Sequence, residues 1–324
     1  MIGRALRLVV LAAAFAWSAA SGQGYPAKPV VIVVPFPAGG PTDTIARIVA
    51  ERMGRSLGQS VIVENTTGAG GSIGVGRVVR SPPDGYLVSI GHIGTHVLNG
   101  AIYPLQYDLL KDLEPVALIT TNPQVIVTPT GLPPRDLREL IAWAKTSGPK
   151  VSIATGGAGT PSHISAVYFR QFTGNQAQLI HYRGGAPANT DIMAGHVDLF
   201  FDQAATALSN AKGGRVRAHA VTAKSRLEAA PDIPTVDEAG LPGYYMAVWH
   251  GLWLPKATPK NIVARLNAST VETLADPGVR KRLGDIGQEI PPAEQQTPEA
   301  LAAHHRAEIE KWWPLVRAAG IKAE

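Results

Sequence analysis

The stretch Val30-Val31-Ile32-Val33-Val34-Pro35-Phe36-Pro37-Ala38-Gly39-Gly40-Pro41-Thr42-Asp43 decides how this chain folds. Its β-branched run reads as a buried strand, and the Gly/Pro turn ends it. Ile45, Ile48, Val49 and Met53 then continue at helical spacing. Such a junction aims unpaired backbone N–H groups and the positive end of a helix dipole at the turn. It can hold an anion without lysine or arginine. The pattern recurs at Val63 to Ser72, through Gly68-Ala69-Gly70-Gly71, and at Val151 to Pro161, through Thr155-Gly156-Gly157-Ala158-Gly159-Thr160. In the third copy Thr160 reads as an N-cap and Pro161 as the first helical residue. Several such turns on one chain suggest a cleft lined by helix N-termini, suited to a small carboxylate or phosphate.

The first residues have the order of a secretory signal peptide. Arg4 and Arg7 precede the apolar run Leu8 to Trp17, and small residues Ser18-Ala19-Ala20-Ser21-Gly22 follow. The run is shorter than the ~20 apolar residues that a membrane span needs. Residues 1–24 are therefore expected to be a leader, cut after Ala20, Gly22 or Gly24, and the rest to be periplasmic. The chain has no cysteine, which excludes disulfides and a lipid-bearing cysteine. Of the formal net charge of +5, the leader's two arginines supply two, leaving about +3. The basic residues are scattered, without the stripe of a nucleic-acid binder.

Strand-like and helix-like segments alternate, which argues for parallel α/β layers. Expected strands include Val30–Val34, Ser60–Val63, Leu87–Ile90, Gln124–Thr128, Ser152–Ala154, Gln178–His181, Val197–Phe201 and Ala218–Thr222. Expected helices are Thr42–Leu57, Ser72–Arg80, Arg135–Thr146, Pro161–Phe172, Ala186–Ala194, Pro259–Ala275 and Pro298–Ala319. Gly58, Gly174 and Gly195 fall where helices should stop. No linker divides the chain, so two Rossmann-like domains joined by crossing strands are expected. The crossing candidates are Val116–Thr128, broken by Asn122-Pro123, and Tyr244–Leu254. Domain one would comprise residues 25–122 plus 246–324 and domain two residues 123–245, with the cleft between them at the carboxyl ends of strands.

Several side chains invite competing readings. Gly70-Gly71-Ser72-Ile73-Gly74 matches the Gly-x-Ser-x-Gly nucleophile elbow. A periplasmic serine hydrolase using Ser72 is thus the alternative; the glycine density of Gly68–Gly76 favours a backbone-amide turn with Ser72 as a cap. His92 and His96 are four apart, but Gly91, Gly94 and Gly100 argue against a helix there, and no His-Glu-x-x-His zinc pattern is formed. A loop facing the cleft is expected, where His92 or Thr95 could touch a ligand. His304-His305 read as solvated. His163, in the first turn of the Pro161 helix, is either a neutral donor to ligand or a ring packed under the turn. Asp202 is either an acceptor for a ligand group or a cap. Asp43 and Arg47 are spaced as an i, i+4 pair, leaving backbone amides around Ala38–Thr42 to meet an anion. No Walker-A and no complete Gly-x-Gly-x-x-Gly occurs, so neither a nucleotide cofactor nor a metal is expected.

Ordered motifs along the chain resemble those of the substrate-binding receptors of tripartite tricarboxylate transporters, the Bug-type receptors. They are Tyr25-Pro26-Ala27-Lys28-Pro29, Pro35 to Asp43, Glu64-Asn65-Thr66-Thr67-Gly68-Ala69-Gly70-Gly71, Asp84-Gly85-Tyr86 and Tyr107-Asp108. Gly157-Ala158-Gly159-Thr160, Tyr182-Arg183-Gly184, Ala194-Gly195-His196-Val197-Asp198 and Pro234 to Gly240 follow. Trp249-His250-Gly251-Leu252 and Ala319 to Glu324 complete the set. The resemblance covers essentially all of the chain after the leader.

The resemblance implies a type II periplasmic-binding-protein fold that closes on a small carboxylate, whether a dicarboxylate, an amino acid or an aromatic acid. It implies a carboxylate held by two opposing loops, Phe36 to Thr42 (Phe36, Ala38, Gly39, Gly40, Thr42) and Thr155 to Thr160 (Thr155, Gly157, Ala158, Gly159, Thr160). Gly70, Gly71 and Ser72, the Tyr182–Ala186 turn (Tyr182, Gly184, Ala186) and Asp202 would supply the remaining walls, with His92, Thr95 and His163 toward the far end. Membrane permease subunits, or a sensor protein, are the implied partners of a monomeric, non-enzymatic receptor. Two features depart from the family pattern: His181 stands before Tyr182 where many members have Pro, and the Gly91–Asn99 segment carries two histidines. Both bear on which carboxylate is taken.

Overall fold

Strand β1 (Val30–Val34) is the inner strand of its sheet, with Val30, Ile32, Val33 and Val34 fully buried. The computed structural model describes residues 24–318 and 320–322. Residues 1–23, on which the leader was expected, and Ala319, Ala323 and Glu324 lie outside the described residues. After β1 come α1 (Pro41–Leu57), β2 (Val61–Asn65), α2 (Ser72–Val79), β3 (Leu87–His92), α3 (Asn99–Ile102) and the long β4 (Leu113–Pro129). The middle of the chain forms α4 (Leu137–Ser147), β5 (Ser152–Thr155), α5 (Pro161–Thr173), β6 (Gln178–His181), α6 (Gly185–Ala194), β7 (Leu199–Gln203), α7 (Ala204–Lys212) and β8 (Val216–Val221). Then β9 (Ala247–Pro255), α8 (Lys260–Ala275), α9 (Pro277–Asp285) and α10 (Pro298–Ala318) close the chain.

The strands run in the order β2-β1-β3-β9-β4-β7-β5-β6, with β8 also paired to β4. Strand β4 belongs to both halves: Leu113 to Pro123 pair with β9, whereas Gln124 to Pro129 pair with β7 and β8. The two halves are lobes, each with helices on both faces. In the first, Ile32, Ile45, Val49, Met53 and Leu254 fill one side of the sheet and Val97, Leu98, Trp253 and Leu301 the other. In the second, Phe169, Phe201 and Tyr244 fill one side and Val125, Phe200 and Leu208 the other. Each such buried side chain stabilises the fold by ~1.5–3 kcal/mol. Thr222 ties the two crossings together. Its hydroxyl oxygen accepts from Gln124 N–H at 2.9 Å, and its O–H donates to the Met246 carbonyl at 2.6 Å.

The expected capping chemistry is present. Gly58, Gly174 and Gly195 end their helices in the left-handed region, and Thr160 caps α5 with Pro161 in its first turn. Four expectations are corrected. Asn122-Pro123 does not break β4, because Pro123 sits where the strand passes from one sheet to the other. Helix α9 was not among the expected helices, and α7 was expected only as the helix Asp202 might cap, without bounds. The segment after β3 is no loop: Gly94–Leu98 forms a wide, π-type helical stretch that runs into α3. Its glycines serve packing, since a Cβ on Gly91 would stand 2.0 Å from His96 Nδ1. Finally, His305 is not solvated; it is 2% exposed and bonds through Nε2 to the His96 carbonyl, so α10 is stitched onto the first lobe.

Candidate ligand-binding site

A cavity of about 40 Å³ lies between the lobes. Gly40, Pro41 and Thr42 line it at the start of α1, Thr160, Pro161 and Ser162 at the start of α5, and Gly184 and Gly185 at the start of α6. Asp202 and Gln203 line it just before α7. Four helix N-termini therefore surround one space, and among the described residues no lysine or arginine lines it. Dipole ends and first-turn amides favour negative charge there. Phe36, His92, Gln124, Phe200 and Phe201 complete the wall. A wider vestibule of about 710 Å³ opens beside it, between Thr67–Gly71 and Tyr103 of the first lobe and Gly156–Ala158 and His181–Arg183 of the second.

The lobes touch around these spaces. The Tyr103 hydroxyl donates to the Ala158 carbonyl across the cleft at 2.8 Å. Gly184 has φ +124°, and a Cβ on it would come 2.8 Å from Pro37 Cδ of the opposite lobe. Gly70 is a second such place: its Cβ would meet the Ala158 carbonyl at 2.9 Å.

Of the residues singled out from sequence, the cavity brings together Phe36, Gly40, Thr42, His92, Thr160, Gly184 and Asp202, and the vestibule holds Gly70, Gly71, Gly157, Ala158 and Tyr182. The others stand elsewhere. Ala38 and Gly39 are exposed, and the Gly39 N–H is spent on Asp43 Oδ2 at 2.9 Å. Thr95 is fully buried, bonded to the backbone of His92 and to His96 Nδ1. Thr155 bonds His181 Nδ1 at 2.6 Å, and Gly159 N–H donates to His163 Nδ1 at 3.1 Å. Ala186 lies inside the first turn of α6, past the lining residues. Ser72 does not cap α2: Gly71, at φ +93°, is the N-cap, and Ser72 is already helical. No histidine hydrogen-bonds Ser72 among the described residues, so the elbow geometry is missing.

The titratable groups at the cavity are shaped by burial. His92 stacks on Phe36 at 4.9 Å and accepts the Gly94 N–H on Nδ1 at 2.9 Å, which leaves the ring proton on Nε2. Burial lowers its pKa to about 3, so it is neutral. His163 is packed under the α5 turn, edge-on to His181 at 4.8 Å; burial and then His181 lower it to about 4. Asp202, 2% exposed, accepts from the Gln203 N–H at 2.9 Å and from the Thr206 hydroxyl. Burial outweighs those bonds and raises its carboxyl to about 7. Asp43 shows the opposite balance: burial raises it, but bonds from Arg47, Gly39 and Asn65 together hold it below the usual range.

Sequence reasoning missed Gln124 and Tyr103. Gln124 sits in mid-strand, its Oε1 taken by Ser165, and it reaches the cavity because β4 changes sheets at that residue. The residue after the Asn-Pro pair was the available signal.

Residues 45–321 match the model of the tripartite tricarboxylate transporter family receptor. BugT of Bordetella pertussis is 33% identical over 304 residues, covering 93% of this chain and 92% of its own length. The structure of the periplasmic binding protein BugD superposes with a TM-score of 0.88 at 38% identity, covering 93% of this chain and all of that one. MatC of Rhodopseudomonas palustris, solved with bound malate, gives 0.86 at 37% identity over 90% of this chain and all of its own. The fold is accordingly the two-domain, type II periplasmic-binding-protein architecture, and the matching family is one of receptors rather than enzymes. The chain belongs to the tripartite tricarboxylate transporter receptor family.

Proposed function

We propose that this protein is a periplasmic receptor that closes on one small carboxylate and presents it to a membrane permease. The observation that carries this reading is the cavity itself: four helix N-termini meet on a space that, among the described residues, no lysine or arginine lines. An anion there gains from fixed dipoles of both lobes at once, so it stabilises the closed form over the open one. Residues 25–122 with 246–324 would move as one body and residues 123–245 as the other, hinged where β4 and the Tyr245–Ala247 passage are held by Thr222. The cavity's about 40 Å³ argues for a compact ligand, since a buried water takes roughly 10–15 Å³. Malate bound in MatC supports a short acid. The periplasmic assignment draws support from BugD.

A thermal-shift screen of ligand-stripped protein against carboxylates tests the reading. Ligand at a hundredfold excess over its dissociation constant adds about 2.7 kcal/mol, which raises Tm by several degrees in a chain of this size. Selective shifts by short acids are expected. No shift with any carboxylate would overturn it.

A further inference from the structure

We propose that Asp202 and Gln203 form an acceptor subsite that selects carboxylates carrying a hydroxyl or ammonium donor over the same acids without one. The inference rests on the receptor reading and deepens it. Asp202 lines the cavity and is 2% exposed. The Gln203 N–H and the Thr206 hydroxyl, both from the start of α7, with Asn189 beside them, fix its rotamer without a counter-charge, and among the described residues no lysine or arginine lines the cavity. Gln203 lines the same wall, and its side-chain Oε1 is buried with no donor. A ligand carboxylate drawn in by the helix N-termini thus arrives beside a second carboxyl and an unpaired carbonyl. An unsubstituted methylene against them leaves the buried Gln203 oxygen unpaired and gives the Asp202 carboxyl no donor beyond those it already has. A donor on the ligand pairs the Gln203 oxygen and adds a bond to the Asp202 carboxyl, and sites built to bond a ligand O–H or N–H reject the analogue lacking it strongly.

The test is titration calorimetry of the full receptor, stripped of ligand, with two matched sets: succinate, L-malate and L-aspartate, then propionate, L-lactate and L-alanine. At least a tenfold preference for a substituted acid within a set is expected. If the ammonium compound leads, Asp202→Asn, which removes charge but keeps an oxygen, should erase the preference. If the hydroxy acid leads, Asp202→Asn should cost it under threefold and Gln203→Leu should cost more. A far-UV circular-dichroism spectrum and thermal melt of each ligand-free variant are the folding control. Equal binding of all members of a set by wild type, or a preference untouched by both variants, overturns the subsite while leaving the receptor intact. No binding of any acid overturns both readings.

Discussion

In the first lobe the turn before α1 is held from outside. Asp43 clamps the Gly39 N–H, Arg47 grips Asp43 through two bonds of 2.9 and 3.0 Å, and Asn65 of β2 braces the same carboxylate at 3.0 Å. Gly40 caps α1 with no side-chain bond. In the second lobe the turn before α5 holds itself. Ser162 Oγ takes the Gly156 N–H at 2.8 Å, Thr155 Oγ1 the Gly157 N–H at 3.2 Å, and Thr160 both bonds back to Gly157 O and caps the helix. One sequence pattern, strand then glycines then helix, is thus stabilised in two ways: by a charged clamp that leaves the α1 amides uncapped, and by hydroxyls that consume the loop's own donors. The first loop is the better anion receiver, the second the more self-contained wall.

The lobes also differ in what they bury. The first holds His92, His96, His250, His304 and His305, all pushed down by burial, His92 to about 3 and His305 to about 4. The second holds His163 and His219, each lowered by burial to about 4, against Asp202, raised by burial to about 7. A histidine with a depressed folded-state value costs stability as pH falls below its unfolded value, ~6.5, by up to about 1.4 kcal/mol per pH unit. Asp202 acts oppositely: its contribution is fully present below ~4 and is lost as pH rises to about 7. Between pH 6.5 and 4.5 the first lobe therefore faces five unfavourable groups, and the second faces two partly offset by one. The empty receptor should lose several kcal/mol on acidification, the largest effect expected here. Amide protection, corrected for the intrinsic pH dependence of exchange, should fall more in β3 and β9 than in β5 and β7 between pH 7.5 and pH 5; an equal fall would erase the contrast.

Asp43→Ala comes next. Breaking a buried ion pair costs ~3–5 kcal/mol, but Arg47 is half exposed, so solvent screening brings the expected loss to about 2 kcal/mol. Because the clamp shapes the loop proposed to meet the anion, ligand affinity should also fall at least tenfold by calorimetry. Unchanged affinity would mean that the α1 turn keeps its shape without the clamp. Ser162→Ala removes one acceptor from the self-held loop and should cost about 1–2 kcal/mol in a denaturant melt. A loss as large as that of Asp43→Ala would reverse the ordering of the two loops. Smallest is Ser72→Ala, expected within ~0.5 kcal/mol of wild type and without effect on binding, as for surface changes away from special features. A tenfold affinity loss there would bring the second glycine turn into the ligand's immediate surroundings.

What was legible in the sequence was local. The junctions at Gly40, Gly71 and Thr160 declare themselves because strand end, turn and helix start are set by neighbouring residues, and Gly58, Gly174 and Gly195 mark helix ends by the same logic. The Asp43–Arg47 pair follows from helical spacing alone. The bounds of helix α7 escaped because it starts directly from β7, with Phe200-Phe201-Asp202-Gln203 followed by alanines and no punctuating glycine or proline. His96 read as part of a loop and His305 as solvated, yet both are buried.

By itself the sequence determined the anion-receiving chemistry, since amide-bearing helix starts after glycine turns need only residues adjacent in the chain. Tertiary structure decided which of those turns face one another. The cavity exists because β4 changes partners at Gln124, bringing the α1 start against the starts of α5, α6 and α7. It also decided which histidines are neutral and which acid is raised, because burial is a property of what packs around a group and not of its neighbours in the chain.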